Sequence, residues 1–225
     1  VDDFYQVHVE GTRHLLAQAA RAGVKRAVVV SSNSPVGVGT FKEEHFDENT
    51  PYRPYMHYGR SKMLMEELTR KAAMETVIVR PPWFYGPGGP ERQQTFFRMI
   101  ARGTFPLLGD GANLRSMVYI DNLVRGMELC ATHPSAAPGM RKDSLPSSAS
   151  VRLPSLLGEM ATWIDRSLQR LGLYHQKIHV LGEVNKTIAC SIEHAKRDLG
   201  YSPSIDLEEG MRRTLSSAFK DGLVL

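Results

Sequence analysis

The stretch Tyr58-Gly-Arg-Ser-Lys62 places a tyrosine and a lysine four residues apart. On a helix this spacing puts both side chains on one face, with their Cβ atoms about 5–6 Å apart. A lysine ammonium in that position favours the phenolate and lowers the tyrosine pKa from its ordinary value of about 10. A tyrosine tuned in this way can exchange a proton with a hydroxyl or carbonyl group near neutral pH.

The segment upstream of this stretch predicts a buried parallel strand followed by a serine. The residues Val28–Val30 are all β-branched, and Ser32 closes the run two positions later. Ligands of open α/β sheets bind outside the carboxyl ends of the strands. We therefore expect Ser32 to lie where it can hydrogen-bond a reacting oxygen.

Further motifs stand in a fixed order around these two. A strand at Val77–Val79 leads into Arg80-Pro-Pro-Trp-Phe-Tyr-Gly-Pro-Gly88. Four other segments complete the series: Val9-Glu-Gly-Thr-Arg-His-Leu-Leu16, Gly109-Asp-Gly-Ala-Asn113, Val118-Tyr-Ile-Asp-Asn122 and Ala195-Lys-Arg-Asp-Leu-Gly-Tyr201. Taken together, the series resembles the extended short-chain dehydrogenase/reductase family, which includes NAD-dependent epimerase/dehydratase and 3β-hydroxysteroid dehydrogenase-like enzymes. The resemblance covers nearly the whole chain.

The resemblance implies an α/β fold, a Rossmann-like doubly wound parallel sheet with a smaller, mostly helical substrate-binding part. We expect residues 1–81 and 116–132 to form the remainder of the dinucleotide-binding domain. Residues 82–115 and 133–225 then form the substrate-binding part.

The secondary structure expected along the chain follows from periodicity and capping residues. Strands are expected at Val28–Ser32, Val77–Arg80 and Ser116–Ile120, with the first two neighbours in one parallel sheet. Helices are expected at about 3–22 and 58–73, both against that sheet, then from about Glu91, from a cap at Asp121, at about 153–171, and from a capping box at Asp206. Residues 133–152 hold three prolines and five serines, and they are expected to be irregular.

The glycine-rich phosphate loop of the family has no counterpart in this sequence. Such a loop lets backbone N–H groups and a helix N-terminus approach a pyrophosphate. No G-x-x-G-x-x-G pattern occurs in the 225 residues. The expectation is an N-terminally truncated chain that lacks its first β-α units, so that residues 1–225 bind a dinucleotide weakly.

The resemblance also assigns roles to individual residues. Tyr58 is the expected general acid and base, Ser32 orients and polarises the substrate oxygen, and Lys62 holds the nicotinamide ribose hydroxyls. These three are the candidate catalytic residues, and they also belong to the cofactor-binding set. His8, where many members have asparagine, and Pro82, beside the nicotinamide, complete that set. The cofactor is expected to be NAD or NADP.

The candidate substrate-binding residues fit two different classes of substrate. Asn33 and Ser34 stand where the 4,6-dehydratases carry an Asp-Glu pair, and the lack of carboxylates there disfavours a dehydratase. Trp83 and Phe84 fit an apolar substrate such as a hydroxysteroid, or they are core residues. Arg115 fits the diphosphate of a nucleotide sugar because a guanidinium binds bidentately, or it is a solvated surface residue.

The function expected from these features is hydride transfer at a secondary alcohol or ketone by an NAD(P)-dependent oxidoreductase, with a 3β-hydroxysteroid-like substrate favoured slightly. A nucleotide-sugar epimerase is one alternative. A truncated, non-catalytic relative that cannot bind dinucleotide is the other.

Composition limits the kinds of partner and the surroundings expected for the protein. The net charge of +4 is spread along the chain, with no basic run interleaved with aromatics, which disfavours nucleic acid. The two cysteines, Cys130 and Cys190, are expected to be buried thiols of a cytoplasmic protein. No apolar run approaches the about 20 residues of a membrane span, and no metal ligands are predicted. The resemblance implies a homodimer through the helices at about 3–22 and 58–73.

Overall fold

Pairs of parallel strands, flanked by helices, form the framework. The computed structural model describes residues 1–39, 45–108, 113–136, 151–153, 155–175, 178–179, 182–183 and 186–220. The strands are β1 (Arg26–Val30), β2 (His45–Phe46), β3 (Glu75–Val79), β4 (Trp83–Tyr85), β5 (Pro106–Leu108), β6 (Met117–Tyr119), β7 (Val151–Leu153) and β8 (Ala189–Cys190). Strand β1 pairs with β3, β2 with β8, β4 with β6 and β5 with β7, and each of these pairs is parallel.

The helices alternate with these strands, which is the pattern of an α/β fold. They are α1 (Asp2–Tyr5), α2 (Thr12–Arg21), α3 (Met56–Arg70), α4 (Glu91–Ala101), α5 (Ile120–Thr132), α6 (Ser155–Arg170), α7 (Glu193–Leu199) and α8 (Leu207–Lys220). A π-helical turn, Gln6–Gly11, joins α1 and α2 into one continuous rod. No helix in the described part of the chain is both long and apolar enough to cross a membrane.

The predicted pairing of the first two strands is confirmed. Val28 lies opposite Val77 and Val30 lies opposite Val79 in the parallel register of β1 and β3. The Ser31 N–H donates to the Val79 carbonyl at 2.7 Å, which extends the pairing one residue past β1. Ser32 therefore follows directly on the paired segment, at the carboxyl end of the strand.

The helices around this pair differ partly from the prediction. Helix α3 packs against β3, as expected, and α5 packs against β1 and β3. The rod of α1 and α2 packs mainly along α3 rather than on the sheet. Phe4 packs edge-on against the ring of Tyr58 on α3, while Val7 and Leu15 are exposed. Some apolar side chains of the rod therefore contact α3, and others face outward.

Two predicted caps have different outcomes. Helix α8 is capped at Asp206 as expected, because its carboxylate accepts the Glu209 N–H at 2.9 Å. The other half of the capping box is not shown within the described residues, where the Glu209 carboxylate accepts from Arg212 and Arg213. The cap predicted at Asp121 is wrong: the N-cap is Tyr119, two residues earlier, and it makes no side-chain bond. Asp121 lies in the first turn, where a carboxylate still interacts favourably with the helix dipole.

Two of the sequence motifs meet at one asparagine. The Asn122 side chain donates to the Ile205 carbonyl at 2.6 Å and accepts the Ser204 N–H at 3.1 Å. The Tyr201 hydroxyl donates to the Asn122 carbonyl at 3.1 Å. The segments Val118–Asn122 and Ala195–Tyr201 thus join α5 to the segment between α7 and α8, which is a structural role.

Some predictions fall outside the residues that the structure describes. Residues 137–150 of the irregular stretch and residues 109–112 of the glycine-containing motif lie outside the described residues. The predicted thiols are confirmed as buried: Cys130 and Cys190 have no exposed surface. Burial raises the pKa of Cys130 to about 11.

A buried ion pair ties α3 to the end of β3. The Glu66 carboxylate is fully buried and receives two hydrogen bonds from Arg80, from Nε at 2.9 Å and from Nη2 at 2.6 Å. Ser31 and Tyr52 donate to the same carboxylate at 2.6 and 2.7 Å. Burial alone raises the pKa of Glu66, but the hydrogen bonds and charge of Arg80 override it and hold that pKa below its ordinary value.

Replacing Glu66 by glutamine should destabilise the fold strongly. The substitution leaves the Arg80 guanidinium buried without its counter-charge, and breaking a buried pair in this way costs about 3–5 kcal/mol. Chemical denaturation at pH 7 measures the loss. The matched control is Glu67→Gln, one residue further along α3 and outside the ion pair, which should change the unfolding free energy by less than about 1 kcal/mol.

The pH dependence gives a second measure of the same pair. Because the pKa of Glu66 is lowered in the fold, its contribution is complete above the unfolded value of about 4.3 and is lost as the pH falls through the folded value. The stability difference between the wild type and Glu66→Gln should therefore shrink in acid. A difference that stayed constant from pH 7 down to the acid transition would contradict this account.

Candidate active site

Helix α3 carries the predicted catalytic tyrosine and lysine. Tyr58 and Lys62 lie in its first two turns, one helical turn apart, and both are half-buried. The Tyr58 ring is packed edge-on by Phe4, with ring centroids 5.6 Å apart, and by His8, at 5.4 Å. The prediction of a helical, partly accessible Tyr58 is thus met, while its catalytic role stays a prediction.

The Lys62 ammonium lies at the carboxyl end of β1. Its Nζ donates to the Val30 carbonyl at 3.2 Å and lies 3.9 Å from the Met65 sulfur. Burial lowers the pKa of Lys62, and the charge of Glu66 opposes that effect. The side chain is therefore held over the strand end where ligands of such sheets bind.

Ser32 heads a short loop of hydroxyl and amide groups beside this lysine. It is buried, and its Oγ accepts the Ser34 N–H at 3.2 Å. The same Oγ lies 3.1 Å from the Ser34 hydroxyl and 3.3 Å from the Asn33 side-chain oxygen. The Ser32 hydroxyl is therefore bonded to both of the other polar side chains predicted for this loop.

The serine loop and α3 approach so closely that a glycine is needed between them. The Tyr55 N–H, just before α3, donates to the Ser34 carbonyl at 3.2 Å. A Cβ at Gly59 would lie 2.6 Å from that carbonyl oxygen, well inside contact distance. Gly37, at the end of the loop, has φ +83° and would place a Cβ 2.2 Å from the Arg53 carbonyl oxygen. These glycines fix the position of Ser32 relative to Tyr58.

His8 joins the site from the π-helical turn, a feature that is often found at functional sites. Its Nδ1 lies 2.9 Å from the Ser61 hydroxyl, which itself donates to the Tyr58 carbonyl at 2.9 Å. Since that hydroxyl proton is already used, the His8 Nδ1 carries the proton of their bond. Burial, and then the charge of Lys62, lower the pKa of His8 to about 4, so His8 is neutral at pH 7.

The other predicted residues lie on β4 and β6 and next to them. Pro82 is buried at the end of the segment that follows Arg80. Trp83 packs against Phe96, with ring centroids 4.6 Å apart, while Phe84 points the other way and is 44% exposed. The side-chain contacts of Arg115 within the described residues are made with Glu183 and not with Tyr58, Lys62 or Ser32.

Arg115 instead pairs with Glu183. Its Nη2 lies 3.3 Å from the Glu183 carbonyl oxygen and 3.8 Å from the carboxylate, and its side chain is 36% exposed. Within the described residues, no group of three or more histidine, cysteine, aspartate or glutamate side chains could hold a metal ion.

Sequence reasoning missed three residues that shape the site. Glu66 lies one helical turn after Lys62 on α3. A carboxylate on the buried side of the predicted helix could have indicated a buried ion pair. Gly59 lies inside the quoted stretch itself. Gln169 on α6 bonds the start of α3, and nothing in its local sequence indicates this contact.

Comparison with known proteins finds relatives that cover most of this chain. A family model for the NAD-dependent epimerase/dehydratase family matches residues 1–142. An uncharacterised protein of Sinorhizobium fredii is 45% identical over 99% of this chain and 70% of its own length. The UDP-glucose 4-epimerase of Vibrio cholerae is 30% identical over 94% of this chain and 68% of its own length. The chain thus spans about two thirds of the length of these relatives.

Solved structures show the same fold. The dTDP-glucose 4,6-dehydratase of Streptomyces venezuelae, solved with NAD, aligns over 96% of this chain and 67% of its own, with a TM-score of 0.65 and 25% identity. The UDP-glucose 4-epimerase of Thermotoga maritima aligns over 97% and 71%, with a TM-score of 0.70 and 21% identity. A parallel Rossmann-type α/β fold with a Tyr-x-x-x-Lys helix defines the class. The chain belongs to the NAD-dependent epimerase/dehydratase family.

The residues present fit the nicotinamide end of the family's cofactor. Tyr58 and Lys62 would hold the nicotinamide ribose, because the half-buried Lys62 ammonium lies at the strand end and Tyr58 precedes it by one turn on the same helix. Buried Pro82 would provide an apolar wall. The expected weak binding of dinucleotide by residues 1–225 stays a prediction.

The titration of His8 tests how close Lys62 lies to it. In wild-type protein the His8 ring should titrate near pH 4, because burial and the Lys62 charge both disfavour the imidazolium. Lys62→Met removes the charge and should raise that midpoint, though not to 6.5, since burial remains. Proton NMR of the imidazole Cε1–H resonance measures both values.

The matched control is Lys25→Met, which removes the same charge from the turn before β1. It should leave the His8 midpoint unchanged. Equal midpoints in the wild type and Lys62→Met would mean that the ammonium does not face His8.

Proposed function

We propose that this protein oxidises or reduces a secondary alcohol/ketone pair with NAD, using Tyr58 as general acid and base. The observation that carries the proposal is the placement of Tyr58 and Lys62 on the first turns of α3, with the Lys62 ammonium 3.2 Å from the Val30 carbonyl at the end of β1. Membership of an NAD-dependent family and the relatives' enzymatic names support it.

Each residue has a distinct task in this proposal. The Tyr58 hydroxyl gives a proton to, or takes one from, the substrate oxygen, and the Lys62 ammonium stabilises its phenolate form. The buried Ser32 hydroxyl orients and polarises the same oxygen. Neutral His8 fixes Ser61 and the Tyr58 carbonyl, and so helps to set the position of the helix turn that carries the tyrosine. NAD, when bound, supplies the hydride acceptor.

For the substrate, we favour a nucleotide-linked sugar. Arg115 supports this choice: its side chain is 36% exposed, and although its Nη2 donates to the Glu183 carbonyl, the contact with the Glu183 carboxylate is 3.8 Å long, so a diphosphate could replace that carboxylate contact. The relative from Vibrio cholerae is named UDP-glucose 4-epimerase. Trp83, one of the two residues behind the sequence-based preference for a hydroxysteroid, packs against Phe96, which fits the alternative that it is a core residue.

The hydroxysteroid remains the second candidate. Phe84 is 44% exposed on the opposite face of β4, where it could contact an apolar ring system. A relative from Arabidopsis thaliana named 3beta-hydroxysteroid-dehydrogenase/decarboxylase isoform 1 is 28% identical over 95% of this chain.

The assembly and the division into two parts are further proposals. The exposed Val7 and Leu15 side chains on the first rod support a homodimer through this rod and α3. Residues 1–81 and 116–132 are assigned to cofactor binding, and residues 82–115 and 133–225 to substrate binding. Sedimentation of the purified protein distinguishes a dimer from a monomer.

Tyr58→Phe should lower turnover by about 10²–10⁴-fold, because it removes the proposed proton donor. The assay supplies millimolar NAD with either UDP-glucose or a 3β-hydroxysteroid and follows NADH formation and sugar epimerisation. Ser32→Ala should reduce turnover less. The control is Tyr201→Phe, which removes a phenol hydroxyl bonded to the Asn122 carbonyl away from the site and should leave turnover nearly unchanged.

The outcomes separate the candidates. Turnover of UDP-glucose that is lost in Arg115→Met supports the nucleotide-sugar substrate, and turnover of the steroid alone supports the second candidate. Near-normal turnover in Tyr58→Phe would show that the roles are wrongly assigned. The absence of both turnover and NAD binding would favour a non-catalytic relative.

A further inference from the structure

Helix α3 lacks a side-chain cap of its own. Its N-cap residue, Tyr55, makes no side-chain hydrogen bond to the first turn. The first helical residue, Met56, has φ +55°, a left-handed conformation that a methionine rarely adopts. The start of the helix that carries Tyr58 is therefore strained and has to be held by other parts of the chain.

Gln169 supplies the missing bond from a distant helix. Its side-chain carbonyl oxygen accepts the His57 N–H at 3.2 Å, although the two residues are 112 positions apart. Gln169 lies on α6 and is buried, with only 3% of its surface exposed. A first-turn N–H of α3, one residue before Tyr58, is thus satisfied by the C-terminal half of the chain.

Asp165 fixes which end of the Gln169 amide faces α3. The Gln169 Nε2 donates to one Asp165 oxygen at 3.0 Å, and the other Asp165 oxygen lies 2.7 Å from the His179 Nδ1. Asp165 is fully buried, and an ionised carboxylate only accepts hydrogen bonds. It therefore takes the NH2 end of Gln169, which leaves the carbonyl end for His57.

We propose that Gln169 is a positioning residue for Tyr58, and that Asp165 and His179 hold its amide in the direction that caps α3. The proposal rests on the proposed role of Tyr58. A shift at His57 moves the next residue, and a small misplacement of a reacting group lowers the rate without changing binding. Gln169 thereby helps to position Tyr58 without itself touching the substrate.

A reciprocal exchange of the two side chains tests the network. Asp165→Asn leaves one amide between two donors: with its oxygen towards His179 its NH2 faces the Gln169 NH2, and with its oxygen towards Gln169 its NH2 faces the His179 Nδ1, whose proton then has to move to Nε2 beside Glu183. Gln169→Glu sets two carboxylates against each other. The double variant Asp165→Asn/Gln169→Glu keeps the net charge and restores every bond: the introduced amide donates to the introduced carboxylate and accepts from His179, and that carboxylate accepts from His57.

Three readouts are compared across the four proteins. Hydrogen exchange at the His57 amide should be faster by about tenfold in each single variant and return to the wild-type rate in the double variant. The titration midpoint of the Tyr58 hydroxyl, followed with 13C-labelled tyrosine, should shift in the single variants and recover in the double. Where turnover is measured, kcat should fall roughly tenfold or more in the single variants with KM nearly unchanged, and recover in the double.

Two additional variants keep the test decisive. Gln169→Met removes the hydrogen bond without adding charge, and should reproduce the single-variant effects even if a buried charge prevents Gln169→Glu from folding. Gln18→Glu makes the same chemical change on an exposed helix position and should change nothing.

The proposal is overturned if melting temperatures change while the His57 exchange and the Tyr58 midpoint stay the same, or if the double variant fails to recover. The exchange and titration readouts need no turnover. A wild-type protein without activity would therefore remove the proposed function while the positioning of Tyr58 by Gln169 could still be measured.

Discussion

The buried pair of Glu66 and Arg80 is the interaction on which the site depends. Glu66 lies one turn after Lys62 on α3, and Arg80 directly follows β3, just before the Pro81-Pro82 segment. Ser31, which precedes Ser32, donates to the same carboxylate. An isolated buried carboxylate is strongly unfavourable, so the three chain segments have to stay together to satisfy it. That requirement holds the serine, the Tyr-Lys helix and the loop after β3 in one place.

The local part of this arrangement could be predicted from sequence. The β-branched run before Ser32, the four-residue spacing of Tyr58 and Lys62, and the strand at Val77–Val79 each depend on nearby residues only. Strand β1, helix α3 and strand β3 were accordingly found within two or three residues of their expected bounds. The class of fold was expected from the family that the ordered motifs resemble, and the helical crossover between β1 and β3 agrees with it, because a parallel pair needs such a crossover.

The long-range part could not be predicted in the same way. The Glu66 partners come from three separate segments, and the Gln169 bond to His57 spans 112 residues. Local sequence indicates only that a polar residue lies on the buried face of a helix, as Asp165 and Gln169 do four residues apart on α6. The packing of the first rod on α3 was likewise missed, since an apolar face does not identify its partner.

The central claim is that the strand end beside Tyr58 and Lys62 holds the nicotinamide end of the cofactor. A crystal structure with NAD bound tests this most directly. The account predicts that the Tyr58 hydroxyl and the Lys62 Nζ both lie within about 3.2 Å of the nicotinamide ribose hydroxyls, with Pro82 against the ring. A nicotinamide ring bound away from this strand end, with Tyr58 turned from it, would contradict the account.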